Sequence, residues 1–253
     1  MSVLSIAGFD PSGGAGVLAD VKTFAANGVD GCAVVTAVTA QNARTVTRVE
    51  PVAPDLIRAQ LDAVLAERPI AAVKIGMLGT AGVARAVAAV LRESMLPNIV
   101  VDPVIRASTG AALLDDEGIG VLRAELLPLA NGITPNATEA GILLGRAAPA
   151  TVREMRDTAN ALRALGPAWV LVTGGHVEAG DDCVDVLCGP GTDRELRVAR
   201  VASAGMHGTG CRLSSAIAAR LALGEGVIDA CAAAQRQVAA AMMHHEQTLE
   251  SVS

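Results

Sequence analysis

The sequence predicts an α/β fold in which a mostly parallel sheet lies between layers of helices. Short apolar segments that do not alternate polar with apolar residues are typical of strands covered on both faces. Longer segments with helical periodicity separate them, and this order implies parallel strands joined by helical crossovers. The predicted strands are 3–7, 32–39, 72–75, 99–101, 132–134 and 169–173. The predicted helices are 14–26, 54–66, 81–92, 115–126, 137–144 and 152–165.

The pattern changes after residue 173. Two short apolar segments flank Gly189-Pro190-Gly191, which predicts an antiparallel hairpin, and two alanine-rich helices follow. These four segments are 183–188, 195–199, 210–223 and 227–244. The adjacent His244 and His245 are expected in a loose tail. No linker, repeat or low-complexity segment divides the chain, so residues 1–253 are predicted to form a single domain.

Composition excludes several classes of function. The net charge is −6 and no block of Lys and Arg occurs, which argues against nucleic acid as the main partner. Aromatic residues are limited to Phe9, Phe24 and Trp169, so a flat ligand ring would have to rest on Met or aliphatic side chains.

The cysteines and the apolar segments indicate a cytoplasmic protein. The five cysteines are odd in number and irregularly spaced, without the spacing of zinc ligands, which favours free thiols in a reducing compartment. The N-terminal segment lacks a basic region and a cleavage site, and it is predicted to be a buried strand. No uncharged apolar run approaches the length of a membrane span, so no membrane partner is expected.

A glycine-rich loop follows the first predicted strand, where ligands of open α/β sheets bind. Gly14-Ala15-Gly16-Val17-Leu18-Ala19 fits a dinucleotide-binding pattern, but a long loop precedes it and Gln41 stands where that fold places an acidic residue. The Gln41 amide offers a donor and an acceptor, which suit a heteroaromatic edge. The alternative, a tight loop that packs a helix on the sheet, stays open. The chain lacks the P-loop pattern, which excludes a P-loop enzyme, and it lacks the G-x-S-x-G motif of α/β-hydrolases.

The segment Gly208-Thr209-Gly210-Cys211 opens a predicted helix. Glycines let backbone N–H groups converge on an anion, and the helix dipole adds favourable potential, which suits a transferring phosphoryl group. Cys211 would lie in the first helical turn, where the pKa of a thiol tends to be lowered. The alternative is a small buried cysteine behind a glycine turn, and these four residues alone support both interpretations equally.

Polar and charged residues near strand ends can likewise be structural or functional. Asn136 and Glu139 fit a helix capping box, which the residues alone favour, or a hard-cation site near nucleotide phosphates. Asp102 ends a predicted strand, where a buried carboxylate needs a partner or a cation, and this favours a functional role. Lys74, within an apolar strand, is either a buried pair partner or a phosphate contact.

Together these segments resemble the hydroxymethylpyrimidine/phosphomethylpyrimidine kinases of thiamine biosynthesis, within the ribokinase-like superfamily. The resemblance covers nearly the whole chain in family order, and SGGAG with TAQN and HGTGC is specific to this branch. The matching stretches are 7–29, 34–42, 73–79, 100–104, 126–128, 133–140, 171–176 and 207–219. The resemblance implies a ribokinase-like three-layer α/β/α domain, a homodimer, and ATP- and Mg²⁺-dependent phosphorylation of 4-amino-5-hydroxymethyl-2-methylpyrimidine and then of its monophosphate.

The resemblance also implies roles for individual residues. Gln41 would bind the aminopyrimidine edge, and five further residues would line the substrate pocket: Gly8, Ala15, Asp20, Met77 and Val104. Gly208, Thr209 and Gly210 would form the anion hole, and Cys211 would be the catalytic residue that accepts the proton of the substrate hydroxyl. Thr173, Asn136 and Asp102 would contact the nucleotide, and Glu139 would hold Mg²⁺, which replaces the capping-only interpretation.

The chain departs from the family pattern at several positions. The family commonly has Lys at the places of Thr173 and Ser108, so two cations expected near phosphates are missing. Arg106 and Arg212 are unusual here and could supply charge, although a guanidinium fork and a lysine point charge differ in geometry. Phe9 replaces a small residue and would narrow the pocket or stack on a ring. Two alternatives therefore stay open: a related kinase acting on pyridoxal or a pyrimidine analogue, and a non-catalytic pyrimidine-binding module.

Overall fold

The computed structural model describes residues 1–42, 44–107, 110–175, 177, 180–201 and 206–250. Of residues 248–250 it describes only the backbone. Ser108 and His176, which the sequence places in loops near the expected phosphates, lie outside the described residues.

Within the described residues, nine strands form one sheet in the order β3-β2-β1-β4-β5-β6-β7-β8-β9. The strands β1, β2 and β4 to β7 run parallel, while β3, β8 and β9 are antiparallel to their neighbours. Their bounds are β1 Ser2–Phe9, β2 Asp30–Gln41, β3 Val46–Pro51, β4 Ile70–Ile75, β5 Ile99–Val101, β6 Gly132–Ile133, β7 Trp169–Val172, β8 Asp182–Gly189 and β9 Thr192–Ala199. The mostly parallel sheet and the hairpin are thus confirmed.

The helices of the described residues are α1 Gly16–Ala26, α2 Pro54–Glu67, α3 Ala81–Ser94, α4 Asp116–Val121, α5 Ala137–Leu144, α6 Val152–Arg163, α7 Thr209–Ala222 and α8 Val227–Glu250. The helix predicted over 115–126 is divided: α4 continues into a π-helical turn at Leu122–Leu126 and a short 3₁₀ turn at Leu127–Leu129. None of these helices is both long enough and apolar enough to cross a bilayer.

The sheet lies between two layers of helices because its residues alternate between two hydrophobic cores. In β1, Leu4 and Ile6 enter one core and Val3 enters the other. Helices α2 to α6 cover the first core, and α1, α7 and α8 cover the second. This arrangement confirms the predicted three-layer α/β/α architecture and explains why the strand segments are apolar throughout.

Two sequence-based expectations are wrong. Strand β3 was not predicted, because its residues are mostly exposed at the sheet edge and only its pairing with β2 identifies it. The loose tail expected at His244 and His245 is part of α8, whose 24 residues run to Glu250. The first half of α8 packs on α7 and β9, and this packing stabilises the helix, which then continues beyond the contact.

The loop between β1 and α1 depends on a glycine that contacts the neighbouring backbone. Gly16, the first residue of α1, has φ +60°, and a Cβ there would overlap the carbonyl oxygen of Gly8. The start of α1 therefore lies against the end of β1, at the edge of the sheet where parallel strands end.

We expect Gly16→Ala to destabilise the protein more than Gly28→Ala. Both glycines have positive φ, so both substitutions introduce a backbone strain of about 1–2 kcal/mol. A Cβ at Gly28 meets open space, whereas one at Gly16 meets Gly8 and should cost about 1–3 kcal/mol more. Urea denaturation of both variants measures the difference, and equal losses would show that the close approach does not constrain the fold.

Candidate active site

The loop after β1 and the turn before α7 interlock through their glycines. Gly208 has φ +79°, and a Cβ there would overlap the carbonyl oxygen of Gly14. The Arg212 N–H donates to the Gly208 carbonyl (3.0 Å), which begins the helical hydrogen bonding of α7. The backbone N–H of Gly16 lies near the sulfur of Cys211 and acts to lower its pKa. The predicted anion hole and the predicted substrate loop are therefore packed directly against each other.

The thiol of Cys211 does not have the low pKa expected of a cysteine in a first helical turn. Burial raises its pKa to about 12, and the carboxylates of Asp102 and Asp20 add to this effect, while Lys74 opposes it. The helix dipole and the Gly16 N–H are too weak to compensate for desolvation of a thiolate beside two carboxylates. At neutral pH the thiol is protonated, and its proximity favours the ionised form of Asp102.

Asp102 lies between the turn and the sheet. Its N–H donates to the Ile75 carbonyl at the end of β4 (2.8 Å), which fixes the backbone just beyond β5. Ser214 Oγ, one helical turn into α7, lies 3.1 Å from Asp102 Oδ2. Burial raises the pKa of this carboxyl, although Lys74 and Ser214 favour its ionised form. A Cβ at Gly210 would be 3.9 Å from Asp102 Oδ2, so the glycine leaves the carboxylate close to the anion hole.

Lys74 and Asp20 form a fully buried ion pair beneath Cys211. Lys74 Nζ lies 2.9 Å from both carboxylate oxygens, and both side chains have 0% exposure. Ser5 Oγ and Ser215 Oγ donate to the same carboxylate at 2.6 and 2.7 Å. Burial disfavours the charge of Lys74, but Asp20, Cys211 and Asp102 raise its pKa above the ordinary value. Lys74 is thus a buried pair partner. Asp20 accepts four hydrogen bonds in this structure, and its place in the substrate pocket stays a prediction from the resemblance.

Glu139 belongs to a complete capping box at the start of α5. Asn136 Oδ1 accepts from the Glu139 N–H (2.9 Å), and Glu139 Oε2 accepts from the Asn136 N–H (3.0 Å). Thr173 and Asn136 form an isolated parallel β-bridge, and the Thr173 N–H donates to the Pro135 carbonyl (2.9 Å). Burial raises the pKa of Glu139 to about 8, and the negative charge of Asp102 contributes to the rise.

Two buried carboxylates, one of which raises the pKa of the other, form a donor set for a hard cation. Asp102 and Glu139 offer the oxygen ligands that Mg²⁺ prefers, and a cation would relieve their repulsion. Among the described residues no group of three His, Cys, Asp or Glu side chains is clustered for metal binding, so the remaining ligands would have to be water and phosphate oxygens. The site fits a cation that arrives with a nucleotide.

Three of the predicted substrate residues lie close together: Gly8, Met77 and Val104. A Cβ at Gly8 would be 2.9 Å from Met77 Sδ, so the glycine makes room for that side chain. Met77 packs with Val104 in a small apolar cluster. Ala15 is buried, and its N–H donates to Asp10 Oδ2 (2.9 Å), while Gln41 is half-buried at the end of β2.

The departures from the family pattern have different surroundings. The guanidinium of Arg106 is exposed and lies 3.4 Å from the Gly110 carbonyl oxygen. In the described part of the chain the buried Nε of Arg212 has no hydrogen-bond partner. A third guanidinium, that of Arg200, donates to the carbonyls of Gly175 (2.8 Å) and Val177 (2.7 Å) and so holds the loop after β7. Of these, Arg212 is the cation nearest in sequence to the anion hole.

Sequence reasoning missed Asp10, Ser214 and Ser215. The two serines are small polar residues in an alanine-rich helix, and only the approach of α7 to β1, β4 and β5 brings them to the carboxylates. Asp10 had a usable signal, because it directly follows a buried strand at the ligand-binding edge of the sheet.

Removing the charge of Asp20 should destabilise the protein in the absence of any ligand. Asp20→Asn leaves Lys74 buried without its counter-charge, a change that typically costs about 3–5 kcal/mol. Glu50→Gln is the matched control, because it removes the exposed ion pair with Arg48 and should cost less than about 1 kcal/mol. Thermal and urea denaturation test both variants. If Asp20→Asn lowers the free energy of unfolding no more than the control does, the buried pair of Lys74 and Asp20 does not stabilise the site.

Comparisons with known proteins find relatives over nearly the whole chain. The model of the phosphomethylpyrimidine kinase family matches residues 10–252. A hydroxymethylpyrimidine/phosphomethylpyrimidine kinase of Rhizobium meliloti is 45% identical over 239 residues, which cover 94% of this chain and 89% of the relative.

Solved structures are similar over the same length. Phosphomethylpyrimidine kinase from Clostridium difficile superposes with a TM-score of 0.84 at 36% identity and covers 95% of this chain and 99% of its own. An ADP complex of Bacillus subtilis pyridoxal kinase superposes with a TM-score of 0.85 at 36% identity and covers 93% and 88%. With its ribokinase-like fold, the chain belongs to the phosphomethylpyrimidine kinase family.

Proposed function

We propose that the chain phosphorylates 4-amino-5-hydroxymethyl-2-methylpyrimidine with ATP, and then phosphorylates its monophosphate, in thiamine biosynthesis. One observation carries the proposal: the glycine turn of α7 contacts the substrate loop on one side and Asp102, next to Glu139, on the other. A substrate hydroxyl and a nucleotide phosphate would therefore meet at the N-terminus of a helix. Family membership supports the same reaction.

The residues of the chain act mainly by positioning and by electrostatics. Phosphoryl transfer passes through a loose transition state, so fixed donors at the equatorial oxygens contribute more than a strong base. The N–H groups of Gly208, Thr209 and Gly210 would hold the transferring group. Lys74, which Asp20 holds in place, adds positive potential below the turn. Mg²⁺ held near Glu139 and Asp102 would neutralise phosphate charge, and Asn136 and Thr173 would border the nucleotide.

Cys211 stays the proposed catalytic residue, but not as a preformed thiolate. Because its raised pKa keeps the thiol protonated, the sulfur can accept the substrate proton only as its own proton passes to the neighbouring carboxylate of Asp102, while the phosphoryl group leaves ATP. Gln41 would bind the amino edge of the pyrimidine, while Gly8, Ala15, Met77 and Val104 would enclose the ring. We also infer a homodimer in the cytoplasm, and five free thiols support a reducing compartment.

Replacement of Cys211 by alanine should lower kcat by about 100-fold and change KM little, because the thiol acts after the substrate is bound. Cys183→Ala is the control, since Cys183 is also a free, half-buried thiol but lies on β8. Steady-state kinetics with the hydroxymethylpyrimidine measure both variants. An unchanged kcat would remove Cys211 from the mechanism.

Affinity for Mg²⁺ should rise with pH up to about 8. The pKa of Glu139 is raised to about 8, so the cation must displace a proton below that pH. Each pH unit below 8 should then weaken apparent binding by up to about tenfold, and the dependence should level off above it. Titration of Mg²⁺ into the ADP-saturated protein on either side of pH 8 measures this. Glu139→Gln should weaken binding and abolish the pH dependence; an unaltered dependence would assign it to another group.

Two alternatives stay open, a pyridoxal kinase and a non-catalytic module, and a coupled assay together with calorimetry tests them. Similarity to a pyridoxal kinase favours pyridoxal as a second candidate substrate. A coupled assay of ADP release with the hydroxymethylpyrimidine, its monophosphate and pyridoxal should give the highest kcat/KM for the first two. A higher value for pyridoxal would reassign the substrate. Pyrimidine binding by calorimetry without any product would indicate a non-catalytic module.

A further inference from the structure

Asp185 is a buried carboxylate on β8 that joins three other segments of the chain. It has 4% exposure. Its Oδ1 accepts from the Gly174 N–H (2.9 Å), and its Oδ2 accepts from Gln235 Nε2 of α8 (3.0 Å). The same Gln235 nitrogen donates to the Leu196 carbonyl of β9 (3.0 Å), so both protons of this amide are used. The mechanism described above assigns no role to these contacts.

The Asp185 carboxylate takes the place of a backbone acceptor. The antiparallel ladder of β7 and β8 ends where Val172 pairs with Val186. Just beyond this pair, the Gly174 N–H is directed to the side chain of Asp185. A buried N–H needs an acceptor, and an ionised carboxylate is a stronger acceptor than a carbonyl. A Cβ at Gly174 would overlap the Val184 carbonyl oxygen, so the turn also lies directly against the backbone of β8.

Asp185 is an unfavourable group to bury on a strand. Burial raises its pKa to about 6, and the hydrogen bonds from Gly174 and Gln235 oppose this shift without cancelling it. A carboxyl whose pKa is higher in the folded than in the unfolded protein makes folding less favourable at neutral pH. A buried charge that lowers stability is typical of a functional site.

The turn that Asp185 fixes leads to the residues proposed to border the nucleotide. Thr173 directly precedes Gly174 and forms the β-bridge with Asn136. Asn136 in turn caps α5 together with Glu139. A shift of Gly174 would therefore be passed to the backbone of Thr173 and to the start of α5.

We propose that Asp185 is a positioning residue for the nucleotide: it fixes the turn at Gly174 before ATP binds and thereby places Thr173 beside Asn136. The inference rests on the proposed function, since that proposal places the nucleotide at these residues.

The position of Asp185 in the sheet separates its effect from pyrimidine binding. Its contacts lie at the end of β7, on β8 and on α8. The predicted pyrimidine residues lie at the ends of β1, β2 and β4, and β5 and β6 stand between these strands and β7. Loss of the contact should therefore weaken nucleotide binding and leave pyrimidine binding nearly unchanged.

Calorimetry measures this difference on the full chain. Asp185→Ala leaves the Gly174 N–H without its acceptor, so affinity for ADP with Mg²⁺ should fall by about tenfold or more. Affinity for 4-amino-5-hydroxymethyl-2-methylpyrimidine should change by less than about twofold, because the two sites are far apart in the sheet.

The conservative variant should rescue nucleotide binding. Asp185→Asn keeps an oxygen for the Gly174 N–H, and Gln235 can turn its amide oxygen to the new NH₂ group, so ADP affinity should stay within about threefold of wild type. Equal losses for the two ligands in Asp185→Ala would overturn the proposal. So would an Asp185→Asn variant that binds ADP as weakly as Asp185→Ala does.

Asn131→Ala is the matched control, because it removes a side-chain acceptor of the same kind at the opposite edge of the sheet. Asn131 Oδ1 accepts from the Ile99 N–H (2.7 Å) at the start of β5. Its loss should lower Tm but leave the affinities for both ligands within about twofold of wild type. If the control weakens ADP binding as much as Asp185→Ala does, the effect is general loosening and the proposal is wrong.

A measurement on the wild type covers the case in which Asp185→Ala does not fold. In the unliganded protein the Gly174 amide should exchange with solvent at least about 100-fold more slowly than the amide of an unstructured glycine, because its hydrogen bond is already formed. Addition of ADP should change this protection little. An amide that becomes protected only when ADP binds would show that the nucleotide orders the turn, and it would refute the proposal.

The same measurements separate this inference from the proposed function. A wild type that binds ADP and shows the expected response to Asp185→Ala, but phosphorylates neither the hydroxymethylpyrimidine nor its monophosphate, would refute the proposed function alone. A wild type that phosphorylates them, while Asp185→Ala leaves ADP affinity unchanged, would refute the role of Asp185 alone.

Discussion

The buried pair of Lys74 and Asp20 holds together the floor of the site. It joins the middle of β4 to α1, and Ser5 and Ser215 extend the contact to β1 and α7. Removing two charges from water is expensive, and the pair is tolerated because each acceptor oxygen is also satisfied by a hydroxyl. Four elements from both halves of the chain therefore depend on one interaction, and Cys211 lies within the field of that pair.

Around this floor the buried carboxylates outnumber the buried lysine. Asp20 is neutralised by Lys74, whereas Asp102 and Glu139 are two further buried carboxylates, and the negative charge of Asp102 raises the pKa of Glu139. Such an arrangement lowers the stability of the unliganded protein and is typical of functional sites, where a ligand supplies the missing charge. The capping box of α5 holds Glu139 in place, so capping and the proposed metal binding would use the same side chain.

Close backbone contacts hold together the loop after β1 and the turn before α7. Gly16 packs on Gly8, and Gly208 packs on Gly14, so the loop that would enclose the pyrimidine and the turn that would bind phosphate cannot move independently. This close packing explains why glycines occur in both segments. It also fixes the distance between the ring pocket and the anion hole, which a kinase for a small hydroxymethyl compound must control to within a fraction of an ångström.

The sequence by itself determined the order of strands and helices, the two-sided burial of the sheet and the segments at its ligand-binding edge, because these depend on local periodicity. It could not reveal β3, whose exposed residues become a strand only by pairing, or the continuation of α8 beyond His244. It placed Cys211 in a first helical turn, but the direction of its pKa shift depended on burial beside Asp102 and Asp20, which come from distant parts of the chain. Likewise, the tertiary structure alone decided that Lys74 pairs with Asp20 and that Ser214 approaches Asp102, because hydrogen bonds and charge interactions depend on distances in space that sequence separation does not give.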